Sequence, residues 1–168
     1  MWAVLASPFF LSWMWAESTM AQASVTRRYR FCAAHRLHTD HLSSEENWAA
    51  FGKCNNPNGH GHNYVVLVTV KSKVPTTAGG GIDLDRLDRT VADQVVTRFD
   101  HHDLNQDPEF ADLTTTGENL VLLIWDLLVK HLPAGQLEKV GLIETRDNYF
   151  EYAGSTSQAP VLREGRHG

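Results

Sequence analysis

The stretch NNPNGHGHNYVVLVTV, residues 55–70, leaves the chain little freedom. It opens on turn formers, with Pro57 and Gly59 marking a tight reversal. It then runs into apolar, β-branched residues that predict a strand from about His60 to Val74. Side chains alternate along a strand, so His60, His62, Tyr64, Val66 and Val68 share one face. That face begins with two imidazoles and continues as core. A sheet must form around this segment, with its histidine end beside a turn.

The remaining elements follow from their periods. Residues 25–35 alternate and place Tyr29, Phe31, Ala33 and His35 on one face. Residues 43–51 predict a short helix, with Ser43 as N-cap and Glu46 completing a capping box. The TTAGGG segment, 76–81, is a loop or flexible hairpin. A first long helix is expected over DLDRLDRTVADQVVTRF, with Leu84, Leu87, Val91, Val95 and Phe99 at spacings of three and four. A polar loop, HHDLNQDPEFADLTTTG, leads to a second helix from about Gly117 to Leu132. Leu120, Ile124, Leu127 and Leu128 form its buried face, Thr116 or Thr115 caps it, and Pro133 and Gly135 stop it. Strands at 137–145 and 149–154 close the fold around an RDN turn. The order is β–β–α–α–β–β. It predicts an α+β domain: a four-stranded antiparallel sheet with two helices on one face. The uncovered face calls for oligomerisation.

The domain is assigned to residues 20–154, with a flexible tail over 155–168. Residues 1–19 are expected to be an N-terminal extension, disordered or a mis-assigned start with Met20 as initiator. The apolar leader has no Lys or Arg before Arg27, so it lacks the positive region of a signal peptide, the alternative reading. Pro8 breaks it as a membrane span. The net charge of −5 argues against a nucleic-acid partner. Two cysteines, Cys32 and Cys54, fit reduced thiols and a cytoplasmic setting.

Nine histidines are many for 168 residues. His60 and His62 point together, and Gly59 and Gly61 leave room around them. Two converging imidazoles are half of a zinc site. His35 ends the first strand and becomes a third ligand if the two strands are neighbours. A three-histidine site with an open fourth position is the catalytic pattern. Cys54 as fourth ligand would instead close a structural site, and ordinary turn histidines are the plainer reading.

FCAAHRLH, LSSEENWAAFGKCNNPNGHGHNY, FDHHDLNQDPEFAD, GENLVLLIWDLL and LIET, in this order from about residue 25 to 154, closely resemble the 6-pyruvoyltetrahydropterin synthase family. The block C-x5-H-G-H-N-Y is the specific part. The resemblance implies the tunnelling fold, in which subunits join sheets into barrels, as a hexamer made of two trimers. It implies zinc on His35, His60 and His62, a catalytic group of Cys54, Asp100 and His101, and a pterin site at Glu144 with help from Glu118 and Thr116. The implied substrate is 7,8-dihydroneopterin triphosphate, which loses triphosphate while its side chain is oxidised internally to a dicarbonyl.

The residue types suit that chemistry. A thiolate at Cys54 can act as base, Asp100 can orient His101 for proton transfer, and a buried Glu144 can accept two hydrogen bonds from an aminopyrimidinone edge. Plainer roles stand beside these: Asp100 and His101 ending a helix, Glu144 solvated, and Glu118 answering the helix dipole. Cys32 reads as a buried small residue or strand-face filler. Arg27, Arg28 and Arg30 read as triphosphate contacts or as a solvated face. One departure is TTTGEN, where Gly117 stands at the second of two positions that are threonine in the family. The related 6-carboxytetrahydropterin synthases of queuosine biosynthesis share substrate, zinc and fold but carry a shorter C-x3-H-G-H block. A zinc-binding assembly module without turnover is the remaining alternative.

Overall fold

β1 (Gln22–His35) and β2 (His60–Lys73) pair antiparallel along their length, and their register fixes the rest. Phe31 lies opposite Tyr64, Ala33 opposite His62, and His35 opposite His60. The alternating face read from sequence is the inner one: Phe31, Ala33, Tyr64, Val66 and Val68 are buried. The computed structural model describes residues 21–74 and 81–154. The expectations for residues 1–19 and 155–168, and for the TTAGGG segment up to its last glycine, lie outside the described residues.

α1 (Ser44–Phe51) follows β1, and Ser43 and Glu46 make the capping box in both directions. A 3₁₀ turn, Gly52–Asn55, continues it and carries Cys54. α2 (Leu84–Val91) passes through a π turn at Ala92–Val96 into α3 (Thr97–Phe99). The cause lies in the spacing. Steps of four residues drift about 40° each on a regular helix, and the wider π turn absorbs the surplus. Leu87, Val91, Val95 and Phe99 therefore all stay buried. α4 (Gly117–Val129) starts where expected, with the Thr116 hydroxyl accepting the Asn119 N–H at 3.4 Å. It ends three residues earlier than the apolar run suggested, and Leu127 is only half-buried.

The sheet has five strands rather than four, in the order β3-β1-β2-β4-β5. β4 (Leu137–Ile143) and β5 (Tyr149–Tyr152) are the expected closing pair. The addition is β3 (His102–Asp103), two residues running parallel to the end of β1. So short a strand has no period to read. The loop around it is also structured: Asp103 and Asp107 cap two 3₁₀ turns that bury Leu104 and Phe110. Helices cover the inner face, whereas Arg28, Arg30, Cys32 and Ala34 of β1 stand exposed on the other. Among the described residues, no helix is long and apolar enough to cross a membrane.

Candidate active site

The register of β1 and β2 answers whether His35 can join the H-x-H pair, because His35 lies directly opposite His60. One ring nitrogen from each of His35, His60 and His62 falls within 4.8 Å of the others. The Nε2 atoms of His35 and His60 are 3.2 Å apart. Tetrahedral zinc with Zn–N bonds near 2.0–2.1 Å sets neighbouring nitrogens about 3.3 Å apart, so the spacing suits a shared cation. The Nδ1 of His35 lies 2.8 Å from the Thr115 carbonyl. A proton on Nδ1 donates there and leaves Nε2 free as a ligand, the usual arrangement behind a metal-binding histidine. The His60 Nδ1 is buried with no hydrogen-bond partner. Burial pushes the His35 and His62 imidazoles below the ordinary 6.5, with the neighbouring histidines adding to the effect. They are neutral, and hence ligand-competent, at physiological pH. The donor set fits zinc.

Glu144 stands at the same cluster. Its carboxylate, 11% exposed, comes within 3.9 Å of His35 Nε2. Asn148 Nδ2 donates to it at 3.4 Å. Tyr64 lies beneath, wholly buried, and its hydroxyl has no partner of good hydrogen-bond geometry. Burial and the nearby Glu144 carboxylate both push the phenol up, so it stays protonated. Tyr64 read from sequence only as core, and nothing in the sequence marked its hydroxyl.

The N-terminus of α4 faces this region but divides the predicted contacts. Thr116 is half-buried and occupied as the cap. Glu118 is exposed in the first helical turn, a placement that the helix dipole alone favours. Gly117 has a structural reason: a Cβ there would meet the Phe150 ring at 2.1 Å. The aromatic ring takes the space that a threonine side chain would need.

Cys54 lies in the 3₁₀ turn, and its carbonyl accepts the Leu37 N–H at 2.9 Å. The turn is thereby held two residues from His35. The half-buried thiol is free and lies outside the three-histidine group. Asp100 and His101 sit elsewhere, between α3 and β3 at the edge of the sheet. Their pairing is as expected, with His101 Nδ1 3.0 Å from Asp100 Oδ2. Asp100 also accepts the Cys32 N–H at 2.8 Å, and that bond foremost holds its carboxyl below the usual carboxylate range. His101 adopts φ 61, a left-handed conformation uncommon outside glycine, and its N–H donates to the Cys32 carbonyl at 2.6 Å. Among the described residues, no hydrogen bond or ion pair joins Cys54 to this pair within the chain.

His102 is exposed and turned to the Asp100 carbonyl. Cys32 is exposed rather than buried, because its face of β1 is the uncovered one, and its thiol donates to Asn63 Oδ1 at 2.9 Å. Arg27 is taken by Asp88, while Arg28 and Arg30 are exposed.

A family model described as 6-pyruvoyl tetrahydropterin synthase matches residues 24–155. The chain belongs to this family. It is 47% identical to the human 6-pyruvoyl tetrahydrobiopterin synthase over 134 residues, covering 79% of this chain and 92% of that protein. It is 40% identical to the Drosophila melanogaster enzyme of that name over 134 residues, or 79% and 80% of the two chains. The solved Caenorhabditis elegans 6-pyruvoyl tetrahydropterin synthase superposes with a TM-score of 0.76 at 39% identity, covering 81% of this chain and 98% of that one. Membership in the 6-pyruvoyl tetrahydropterin synthase family makes this chain a lyase, and the shared α+β architecture is the one described above.

Proposed function

We propose that this chain is a zinc-dependent 6-pyruvoyltetrahydropterin synthase acting on 7,8-dihydroneopterin triphosphate. The observation that carries the reading is the convergence of His35, His60 and His62 beside the sheltered Glu144 carboxylate, in a chain 47% identical to a human synthase.

A zinc ion on His35, His60 and His62 supplies Lewis-acid polarisation of the substrate side-chain oxygens, which acidifies the adjoining carbon-bound protons. Glu144 anchors the pterin by accepting hydrogen bonds from its aminopyrimidinone edge, and the low exposure of the carboxylate makes that pairing discriminating. Thr116 and Glu118, at the start of α4, assist Glu144 in this reading. Cys54, as thiolate, removes a proton from a side-chain carbon, and triphosphate departs with the electron pair of its C–O bond. Asp100 holds the His101 Nδ1 proton and thereby fixes the tautomer that presents Nε2 for proton return. The enol so formed tautomerises to a ketone with a terminal methyl group. At the carbinol carbon next to the ring there is no leaving group. Removal of its carbon-bound proton moves the electron pair into the C6=N5 imine of the dihydropterin, N5 and then C6 take up protons, and the carbinol becomes the second ketone. The ring is thereby reduced to the tetrahydro level, and no external oxidant is needed.

Cys54 and the Asp100–His101 pair are separate within one chain. The exposed His101, paired with Asp100 at the sheet edge, suits an assembly in which a second copy brings its own His101 to this site. A hexamer of two trimers is the form we propose, in the cytoplasm.

The test is a product assay on zinc-loaded protein given 7,8-dihydroneopterin triphosphate, with pterins and released aldehyde followed by mass spectrometry. The expected outcome is a pyruvoyl product, inorganic triphosphate and no acetaldehyde. Carboxytetrahydropterin with acetaldehyde would move the chain to the queuosine-type reaction and leave the residue roles standing. No consumption of substrate by zinc-loaded protein would refute the activity.

A further inference from the structure

The chain leaves β1 at His35 and enters a segment, Arg36 to His38, that has no strand beside it on either side. Three of its backbone polar groups, the Arg36 N–H and the Arg36 and Leu37 carbonyls, bond to two side-chain amides. The Arg36 N–H donates to Asn105 Oδ1 at 2.6 Å, and Asn105 Nδ2 donates back to the Arg36 carbonyl at 2.9 Å. This is the exchange that a paired strand residue would make. The Thr115 hydroxyl reinforces it, donating to the same carbonyl at 3.2 Å. From the other side, Asn55 Nδ2 donates to the Leu37 carbonyl at 2.7 Å and lies 2.9 Å from His38 Nδ1. Arg36 Nε donates to the Asn55 carbonyl at 3.0 Å.

The two ends of this clamp carry the reacting groups. Asn55 follows Cys54 directly, and the Cys54 carbonyl accepts the Leu37 N–H. Thr115, which shares the Arg36 carbonyl with Asn105, offers its own carbonyl to the His35 ring. Asn55 and Thr115 are buried, so these bonds do not compete with bulk water. Neither asparagine belongs to the three-histidine group.

We infer that Asn55 and Asn105 are positioning residues: gripping residues 36–38 from opposite sides, they set the Cys54 thiol and the His35 imidazole in fixed relation. The inference rests on the proposed roles of Cys54 and His35. An amide both donates and accepts, whereas the isosteric carboxylate of aspartate only accepts. Asn105→Asp would set a carboxylate oxygen against the Arg36 carbonyl, and Asn55→Asp would do the same to the Leu37 carbonyl.

The test compares the full chain with Asn105→Asp and Asn55→Asp. It reads zinc affinity by chelator competition, kcat and KM on 7,8-dihydroneopterin triphosphate, and iodoacetamide alkylation of Cys54 by peptide mass spectrometry. Asn105→Asp is expected to weaken zinc binding by about 10–100-fold, the usual effect of losing an outer partner of a ligand. Asn55→Asp is expected to keep zinc affinity, to lower kcat by about 10–100-fold with little change in KM, and to change the Cys54 alkylation rate. Should Asn105→Asp fail to fold, Thr115→Val substitutes for it and should weaken zinc binding, with Thr115→Ser restoring it. Should Asn55→Asp fail to fold, Asn55→Ala substitutes for it and should keep zinc affinity while changing the Cys54 alkylation rate. Variants that melt earlier yet keep wild-type zinc affinity, kcat and alkylation would reduce the amides to a structural role and overturn the inference. If the wild-type protein binds zinc but consumes no substrate, the activity reading fails alone, and zinc affinity and alkylation still decide the positioning claim.

Discussion

The two faces of β1 carry two different kinds of functional geometry. On the inner face, His35 is buried, paired by register with His60 and fastened through Thr115. On the outer face, Cys32 receives the half-buried Asp100 and the exposed His101, both held by backbone hydrogen bonds. The inner group is positioned by the fold itself, since strand register and core packing leave its imidazoles nowhere else to point. The outer pair is positioned by local contacts and by a strained φ at His101, and strain of that kind persists where surrounding structure over-determines it. The three-histidine group is therefore complete within one chain, whereas the Asp100–His101 pair stands at the open edge of the sheet.

The largest expected effect tests the inner group. His35→Ala should weaken zinc binding by more than the roughly 100-fold that loss of an outer partner costs, and abolish turnover, as chelator competition and product formation would record. Retained zinc would break the comparison, because the inner site would then not depend on register. Cys54→Ala should keep zinc but lower kcat by about 10²–10⁴-fold, the range for loss of a positioned base. If zinc is lost as well, Cys54 is a ligand and the thiol mechanism is wrong. His101→Ala should lower kcat by about 10²-fold with zinc affinity unchanged. A fall in zinc affinity would mean that the two faces are coupled within one chain.

The smallest effect is on pH, and it separates the faces by window. His35 and His62 are held below 6.5 chiefly by burial, so below that pH the unfolded chain binds protons that the folded chain refuses. Their contribution is present above 6.5 and is lost as pH falls through the folded values. Asp100 is held below 3.8, and its contribution is present above 3.8 and lost only as pH falls further. Melting curves of the metal-free protein should show the first loss at mildly acidic pH. His62→Gln should reduce that loss and leave the second, more acidic one in place. A single loss below 3.8 would remove the distinction.

Much of this was readable from residues alone because it is periodic or local. The alternation through Tyr29–His35 and His60–Val68 placed the inner face, and the Ser43–Glu46 box and the Thr116 cap are short-range chemistry. The helix over Leu84–Phe99 was legible as a stripe, but its π turn was not, since spacing gives a face without saying how the backbone keeps it. β3 was invisible, as two residues carry no pattern. Cys32 was misjudged because alternation tells which residues share a face but not which face is covered.

The sequence by itself determined the longer strands and helices, the candidate ligands and the family resemblance, because each of these is written in motifs and spacings of a few residues. Only the tertiary structure decided that His35 faces His60, that Glu144 reaches the cluster, that Phe150 claims the space beside Gly117, and that Asn105 takes the place of a missing strand. Each of those joins residues far apart in the chain. The contact exists because burial leaves a polar group or a ring one place to go, and no local pattern records where that place will be.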